Sequence, residues 1–560
     1  MVEANRQSAD VCIIGAGPVG LTMAMELAAR GNSVILVEER TDSEISSPKS
    51  NHVSARSMEI YRRLGVADAI RAEGLPDDYP NDGVYATRFT GFELTRFRMP
   101  CRRDRFNDDG YDDGNLPSAE RAARVSQMYL APVLLDHVRK FPNVSILNGV
   151  KFQSLAQTDD DVTVQAVRQK DQAQLSIQCR YLIGADGARS DVRHALGIRL
   201  EGADNLMRAR SRLFRAPGLL AQCGYPPAWM NWFYVDGKWS TMMAIDGKEL
   251  WLMHNFVPPG MQLEDFDIDA EMRQSLGIDA GFSYETLRDE DWTGRRLVAE
   301  RLRDGSCFIA GDAAHLWVPY GGYGMNAGIA DAANLAWMLD AVLHGWAPDD
   351  LLDAHEAERK PVTERVSHFA AQFADTLKAG ESAMLEQDTP EGAEVRARFG
   401  RRLYDANIQS MVPTGLNFGY AYDQSPIIAH SGETPPPFTM GSYTPTLIPG
   451  CRLPHFWLAD GTPLYDALGP GFTLLRLDPA AGVQGLVDAA ARRGVPLKIL
   501  DIAPGKDFDP SVYTRKLVLA RPDQHIAWRG DALPADGLGL IDLIRGASMA
   551  RIQARKVAAS

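Results

Sequence analysis

Three groups of residues in this chain have types and spacings suited to chemistry. The first is Gly15-x-Gly17-x-x-Gly20, with Glu38 roughly 20 residues further on. In such a series the first glycine permits a tight turn, the second lets the backbone approach a pyrophosphate, and the third lets a helix pack closely on a strand. An acid at the position of Glu38 suits a ribose hydroxyl. The second group is Gly184-Ala185-Asp186-Gly187-Ala188-Arg189-Ser190. The third is Gly311-Asp312-Ala313-Ala314-His315, followed by Pro319, Tyr320, Gly322, Gly324, Met325 and Asn326. Asp312 follows a buried strand at its carboxyl end, where doubly wound sheets bind ligands. Its plainer role is a helix cap.

The elements that must position these residues are legible in outline. Ala9 to Ile14 reads as a buried parallel strand, Leu21 to Arg30 as a helix ended by Gly31, and Val34 to Val37 as a second strand. Met58, Tyr61 and Leu64 recur at helical spacing before Gly65. Arg56, Arg62 and Arg63 then have a solvated helix face as their ordinary reading. Asp104 to Asn115, rich in Asp, Asn and Gly, reads as a mobile loop. Between about Leu200 and Trp292 the pattern turns antiparallel. Two Asp-Gly-Lys turns, at Asp236 and Asp246, separate runs rich in aromatic residues and methionine, Trp229 to Val235, Trp239 to Ile245 and Leu250 to Phe256. A long helix is expected from about Met325 to Leu343. The last hundred or so residues read as a separate small α/β unit.

Bulk properties narrow the function. A chain of 560 residues is too long for one core. Its net charge of −14 argues against a nucleic-acid or anionic-membrane partner. Met1 to Ser8 carries no apolar signal core, and no run approaches the roughly 18 apolar residues that span a bilayer, so a cytoplasmic protein is expected. The six cysteines are scattered without C-x-x-C or a His/Cys cluster, which suggests neither a metal site nor a disulfide framework.

Taken in order, the three motifs resemble those of the single-component FAD aromatic hydroxylases, the p-hydroxybenzoate-hydroxylase-like class A flavoprotein monooxygenases. The later text Pro449-Gly450-Cys451-Arg452-Leu453-Pro454-His455, with Asp460-Gly461 and Leu468 to Leu475, is similar to the thioredoxin-like tail of the phenol and polyketide hydroxylase branch. The implied fold is α/β: a Rossmann-like FAD-binding domain (1–76, 115–199 and 293–385), an inserted antiparallel-sheet substrate domain (77–114 and 200–292), a linker or helical segment (386–440) and a thioredoxin-like domain (441–560). With Cys451 as its only cysteine, the tail is expected to be redox-inert and to serve stability or oligomer contacts, a homodimer among them.

The resemblance implies non-covalent FAD, NADPH or NADH as electron donor, O2, and an aromatic phenolic or polycyclic substrate hydroxylated through a flavin C4a-hydroperoxide. It places Gly15, Gly17, Pro18, Gly20, Glu38, Glu39, Arg40, Lys49, Arg56, Gln127, Asp186, Gly187, Asp312, Pro319, Gly322, Gly324, Met325 and Asn326 at the cofactor. Lys49 stands where many relatives have arginine. With one glycine motif only, the nicotinamide has no Rossmann domain of its own and must bind transiently. Strand alternation puts His254 on the same face as Leu250, Leu252 and Phe256. There it is either a base that activates the substrate or an ordinary sheet histidine bonded to a neighbour, and Tyr320 and His315 compete for the catalytic role. The alternatives are a reductase or dehydrogenase of the same fold without oxygen insertion and a non-catalytic flavoprotein. A flavin halogenase lacks its Trp-x-Trp-x-Ile-Pro segment here.

Overall fold

The computed structural model describes residues 6–547, apart from 42, 43, 45, 46, 115, 319 and 377–382. Its first sheet runs Arg303–Asp304, Cys307–Ile309, Ala173–Gly184, Arg6–Ile14, Val34–Glu38, Val144–Asn148, and the Val150–Gln157/Val162–Arg168 hairpin extends from Ala173–Gly184. The central pairs are parallel: Val11 to Ile14 lie beside Val34 to Val37 on one side and Tyr181 to Gly184 on the other. Every residue of Val34–Glu38 is buried. Helices on one face and the Val150–Gln157/Val162–Arg168 hairpin on the other explain why these strands read as unbroken apolar runs. Pro18–Ala28 and the 21-residue helix Tyr323–Leu343 share one core cluster with the strands.

The second sheet is antiparallel except where Gly83–Ala86 joins Met230–Val235. Its order is His315–Trp317, Glu285–Ala299, Leu200–Arg215, Leu250–Val257, Lys238–Ala244, Met230–Val235, Gly83–Ala86, Glu93–Phe97. The Asp236-Gly237 hairpin forms as expected, both residues taking positive φ (48° and 78°), as a type I′ turn demands. The two longest strands, Leu200–Arg215 and Glu285–Ala299, have no clean apolar alternation. Their outer positions carry cross-strand ion pairs instead, Arg210 with Asp291 and Arg212 with Asp289, each 2.7 Å.

The third sheet, Leu497–Asp501, Phe472–Arg476, Leu517–Ala520, Ile526–Gly530, has its first pair parallel and the rest antiparallel. With helix Gln484–Arg493 between its parallel strands and Gly537–Ile544 after the last, this is a thioredoxin-like arrangement. Phe472 packs edge-on to Trp337 of the long helix, at 5.9 Å, so the first and third sheets share a core.

Two further segments are held in place. Helix Pro390–Met411 lies over the second sheet, with Phe399 and Leu403 against Tyr85 and Trp232. The Asp104–Gly114 stretch is turns, as expected. Arg121 ties it down, reaching the carboxylates of Asp108 and Asp113.

Candidate functional site

The three motifs meet at the carboxyl ends of the first sheet. Gly15 has φ +104°, and a Cβ there would lie 2.4 Å from the Ala185 carbonyl of the second motif. A Cβ on Gly20 would stand 1.9 Å from the Gly15 carbonyl, whereas one on Gly17 would meet nothing within 4 Å. Two of these glycines are demanded by packing; Gly17 leaves open ground in front of the helix Pro18–Ala28. Val19 closes the triangle, since a Cβ on Gly311 would lie 2.9 Å from its side chain and one on Gly328 would lie 2.5 Å from it.

Glu38 ends its strand beside this loop. It accepts the Ala16 N–H at 2.6 Å and pairs with Arg40 Nε at 2.8 Å. Burial opposes its ionisation, but the Arg40 guanidinium and the backbone N–H groups of Arg40 and Ala16 outweigh it, holding the carboxyl below its ordinary range. Glu39 is exposed at the rim, 3.9 Å from Lys151.

Asp312 occupies the single turn after Cys307–Ile309. Its side chain is exposed by area, yet surrounding protein pushes its carboxyl up, against the pull of His315 and Lys49. Exposure and desolvation together describe a group lining a recess. Opposite is the start of the long helix: a Cβ on Gly324 would lie 4.0 Å from Asp312 Oδ1 and 3.9 Å from Trp317 Nε1. Gly321 and Gly322 take positive φ, 75° and 68°, so the helix begins with N–H groups that no side chain caps. Gln127 opens its own helix, its N–H bonded to the Ser50 carbonyl at 2.7 Å. Met325 is half-buried, and Gly187, with φ +81°, has open space where a Cβ would be.

Other expected residues are engaged elsewhere. Arg56 turns toward the third sheet, donating to Glu59, to the Gln524 side chain and to the Asp523 carbonyl. These bonds commit its guanidinium to the protein. Asn326 spends its amide on the chain: Oδ1 accepts from Ser54 N–H and Ser57 Oγ, each at 2.8 Å, and Nδ2 donates to the His52 and Gly322 carbonyls. It clamps two helix starts together. Asp186 accepts from Ser190 Oγ and Val192 N–H, anchoring the turn into Asp191–Ala195. Pro319 lies outside the described residues, as does the side chain of Tyr320.

His315 is a correction to the catalytic expectation. Its ring is 2% exposed, stacks on Trp317 at 4.7 Å and donates from Nε2 to Asp331 at 2.7 Å. It has almost no surface to offer a substrate. Asp331 in turn holds Arg359 at 2.8 Å and accepts the Gly311 N–H at 3.3 Å. Burial would raise its carboxyl, but Arg359 and His315 prevail and drive it far down.

His254 sits half-buried on the sheet face bearing Tyr85, Trp232 and Phe256, across from Thr241 and Ser211. Trp292 Nε1–H donates to Ser211 Oγ at 2.7 Å, and Ser211 also meets His254 Nδ1. Among the described residues the serine proton has no other acceptor, so it points at Nδ1 and the imidazole proton resides on Nε2. Burial lowers the His254 pKa to about 4. At neutral pH the ring is uncharged, with Nε2–H as its donor.

An FAD binding domain model matches residues 8–370 of the chain, and an aromatic-ring hydroxylase C-terminal model matches residues 446–544. The chain belongs to the FAD-dependent aromatic-ring hydroxylases. The hydroxylase is 32% identical to the FAD-dependent monooxygenase apdD of Emericella nidulans over 93% of this chain and 88% of that protein. It is 31% identical to aklavinone 12-hydroxylase RdmE of Streptomyces purpurascens, over 95% and 97%. Among solved structures, chromopyrrolic acid-soaked RebC with bound 7-carboxy-K252c superposes with a TM-score of 0.87 at 34% identity, covering 97% of this chain and all of that one. The protein is thus a flavin monooxygenase acting on aromatic substrates, with FAD as its cofactor. No described helix of the hydroxylase is long and apolar enough to cross a membrane. Cys451 is unpaired, and burial pushes its thiol up to about 12.

Sequence reasoning missed two parts of the hydroxylase site. Asp331 and Arg359 were findable in principle, because Asp331 is a carboxylate in an otherwise apolar stretch of helix. The group in which the Arg124 guanidinium lies 3.9 Å over the Trp229 ring and meets His52 Nδ1 joins three distant segments, and nothing in local spacing announces it.

Proposed function

We propose that the glycine loop Gly15–Gly20 and the start of helix Pro18–Ala28 hold the FAD diphosphate, that Glu38 takes a ribose hydroxyl, and that Asp312 and Gln127 hold the ribityl chain. The start of Tyr323–Leu343 then faces the flavin pyrimidine. The residues fit the group: open ground at Gly17, uncapped N–H groups at two helix starts, and a carboxylate aimed into a recess. Bound FAD supplies electron uptake from NAD(P)H and oxygen activation. What the chain supplies is binding, orientation and exclusion of water. Uncapped N–H groups at the long helix favour negative charge beside them. His254 and Phe256, half-buried beside the covered Tyr85 and Trp232, leave the accessible surface on this sheet face to the substrate, and His254 Nε2–H donates to a substrate oxygen, fixing which carbon is presented.

The observation that carries this reading is the convergence of the three motifs around Asp312. The test is a screen of phenols and aromatic polyketides for stimulated NADPH and NADH oxidation, with oxygen uptake and product mass. One oxygen atom gained per reduced nicotinamide consumed is the expected result. Oxidation of donor with no oxygen in the product would overturn it.

A further inference from the structure

Five arginines, Arg71, Arg102, Arg105, Arg121 and Arg124, line one cavity of about 30 Å³, where helix Ala67–Ala72, the turn at 101–105 and the segment 121–124 meet. Among the described residues no aspartate or glutamate lines it. Three of the five have carboxylate partners: Arg71 reaches Glu120 at 2.5 Å, Arg102 reaches Asp77, and Arg121 holds Asp108 and Asp113. The other two have none among the described residues. Arg105 donates to the Arg102 carbonyl at 3.4 Å and lies over its neighbour Phe106, while Arg124 lies over Trp229 and meets His52.

A buried cluster of like charges is unfavourable unless a counter-charge sits inside it. Burial lowers the Arg71 pKa, and the Arg105 charge adds to that against the pull of Glu120, so the two guanidinium groups feel one another. Nε of Arg71 is buried with no acceptor, on a side chain only 7% exposed. A donor left in that state is costly. The size of the space limits what can meet it, because a water occupies about 30 Å³ in the liquid. A monatomic ion fits, whereas a tetrahedral oxyanion brings four oxygens, each about as large as a water.

We propose that this cavity binds a halide ion, chloride, as counter-charge to Arg71, Arg105 and Arg124, and that the ion pins the 101–105 turn to helix Ala67–Ala72 and to the segment leading into Gln127–Val138. The test melts FAD-loaded enzyme at constant ionic strength, with sodium chloride, bromide or sulfate replacing sodium gluconate. Chloride and bromide should raise Tm saturably, by roughly 1–4 °C, and sulfate should act only through its general, non-saturating strengthening of burial. R105M should abolish the saturable shift, and R103M, at an exposed neighbour that does not line the cavity, should keep it. Bromide diffused into wild-type crystals should give an anomalous peak within reach of Arg71 and Arg105, a result that decides the matter even if R105M does not fold. A purely linear chloride response, a saturable shift that R105M retains, or a bromide map with no peak in the cavity would each overturn the proposal. Saturation by sulfate to the same extent would overturn the choice of a halide.

Discussion

Nε2 of His315 and a carboxylate oxygen of Asp331 lie 2.7 Å apart beneath the Gly311-Asp312 turn, both side chains 3% exposed or less. The same carboxylate holds Arg359 and accepts the Gly311 N–H. Asp331→Asn leaves the Arg359 charge buried and uncompensated, at a cost of about 3–5 kcal/mol. It also loosens the turn that aims Asp312. Thermal melts and flavin absorbance of the purified variant should show both losses; wild-type stability and occupancy would contradict this role.

Asp312→Ala removes the carboxylate that lines the recess. A charge-assisted hydrogen bond of roughly 1.5–3 kcal/mol is lost, so FAD should bind about ten- to a hundredfold more weakly. Flavin dissociation constants from fluorescence recovery measure it. Full flavin retention by the variant would exclude Asp312 from the site.

His254→Ala should leave FAD content and donor oxidation intact and divert flux to hydrogen peroxide, because the substrate loses the donor that orients it. With its pKa lowered to about 4, the wild-type residue should contribute no ionisation near neutrality to the pH profile of kcat. An imidazole-type ionisation near pH 6.5 abolished by this substitution would restore the general-base reading.

Acid should destabilise the fold in a defined window. His254, His355 and His455 are each lowered by burial from 6.5 to about 4. The unfolded chain takes up these protons first, so stability is full above about pH 6.5 and falls toward pH 4. Each proton contributes about 1.4 kcal/mol per pH unit across that window. Urea unfolding at stepped pH measures the slope, and a flat profile over this range would contradict the buried, neutral imidazoles.

How much of this was legible in sequence follows from where each residue's partners lie. Val34 to Glu38 could be read because burial on both faces leaves an unbroken apolar run, and the Asp236-Gly237 hairpin because its turn chemistry is local. Leu200–Arg215 and Glu285–Ala299 could not, since arginine and aspartate on their outer positions hide the alternation until the strands pair. Arg56 matched a motif, yet one of its partners, Gln524, is 468 residues away in sequence. The tautomer of His254 depended on Trp292 and Ser211, which only the folded sheet brings together.

The shared core of the first and third sheets has a consequence for engineering. Arg521 is gripped by Glu358 and Asp523 with neither Arg521 nor Glu358 exposed at all, and Arg452 reaches Glu59 from the same side. A chimaera that grafts a relative's C-terminal unit onto this scaffold must therefore carry Arg56, Glu59 and Glu358 as part of the transplant. A splice drawn within residues 412–440 would sever buried charges from their counter-ions. The workable seam runs through side chains rather than through the linker.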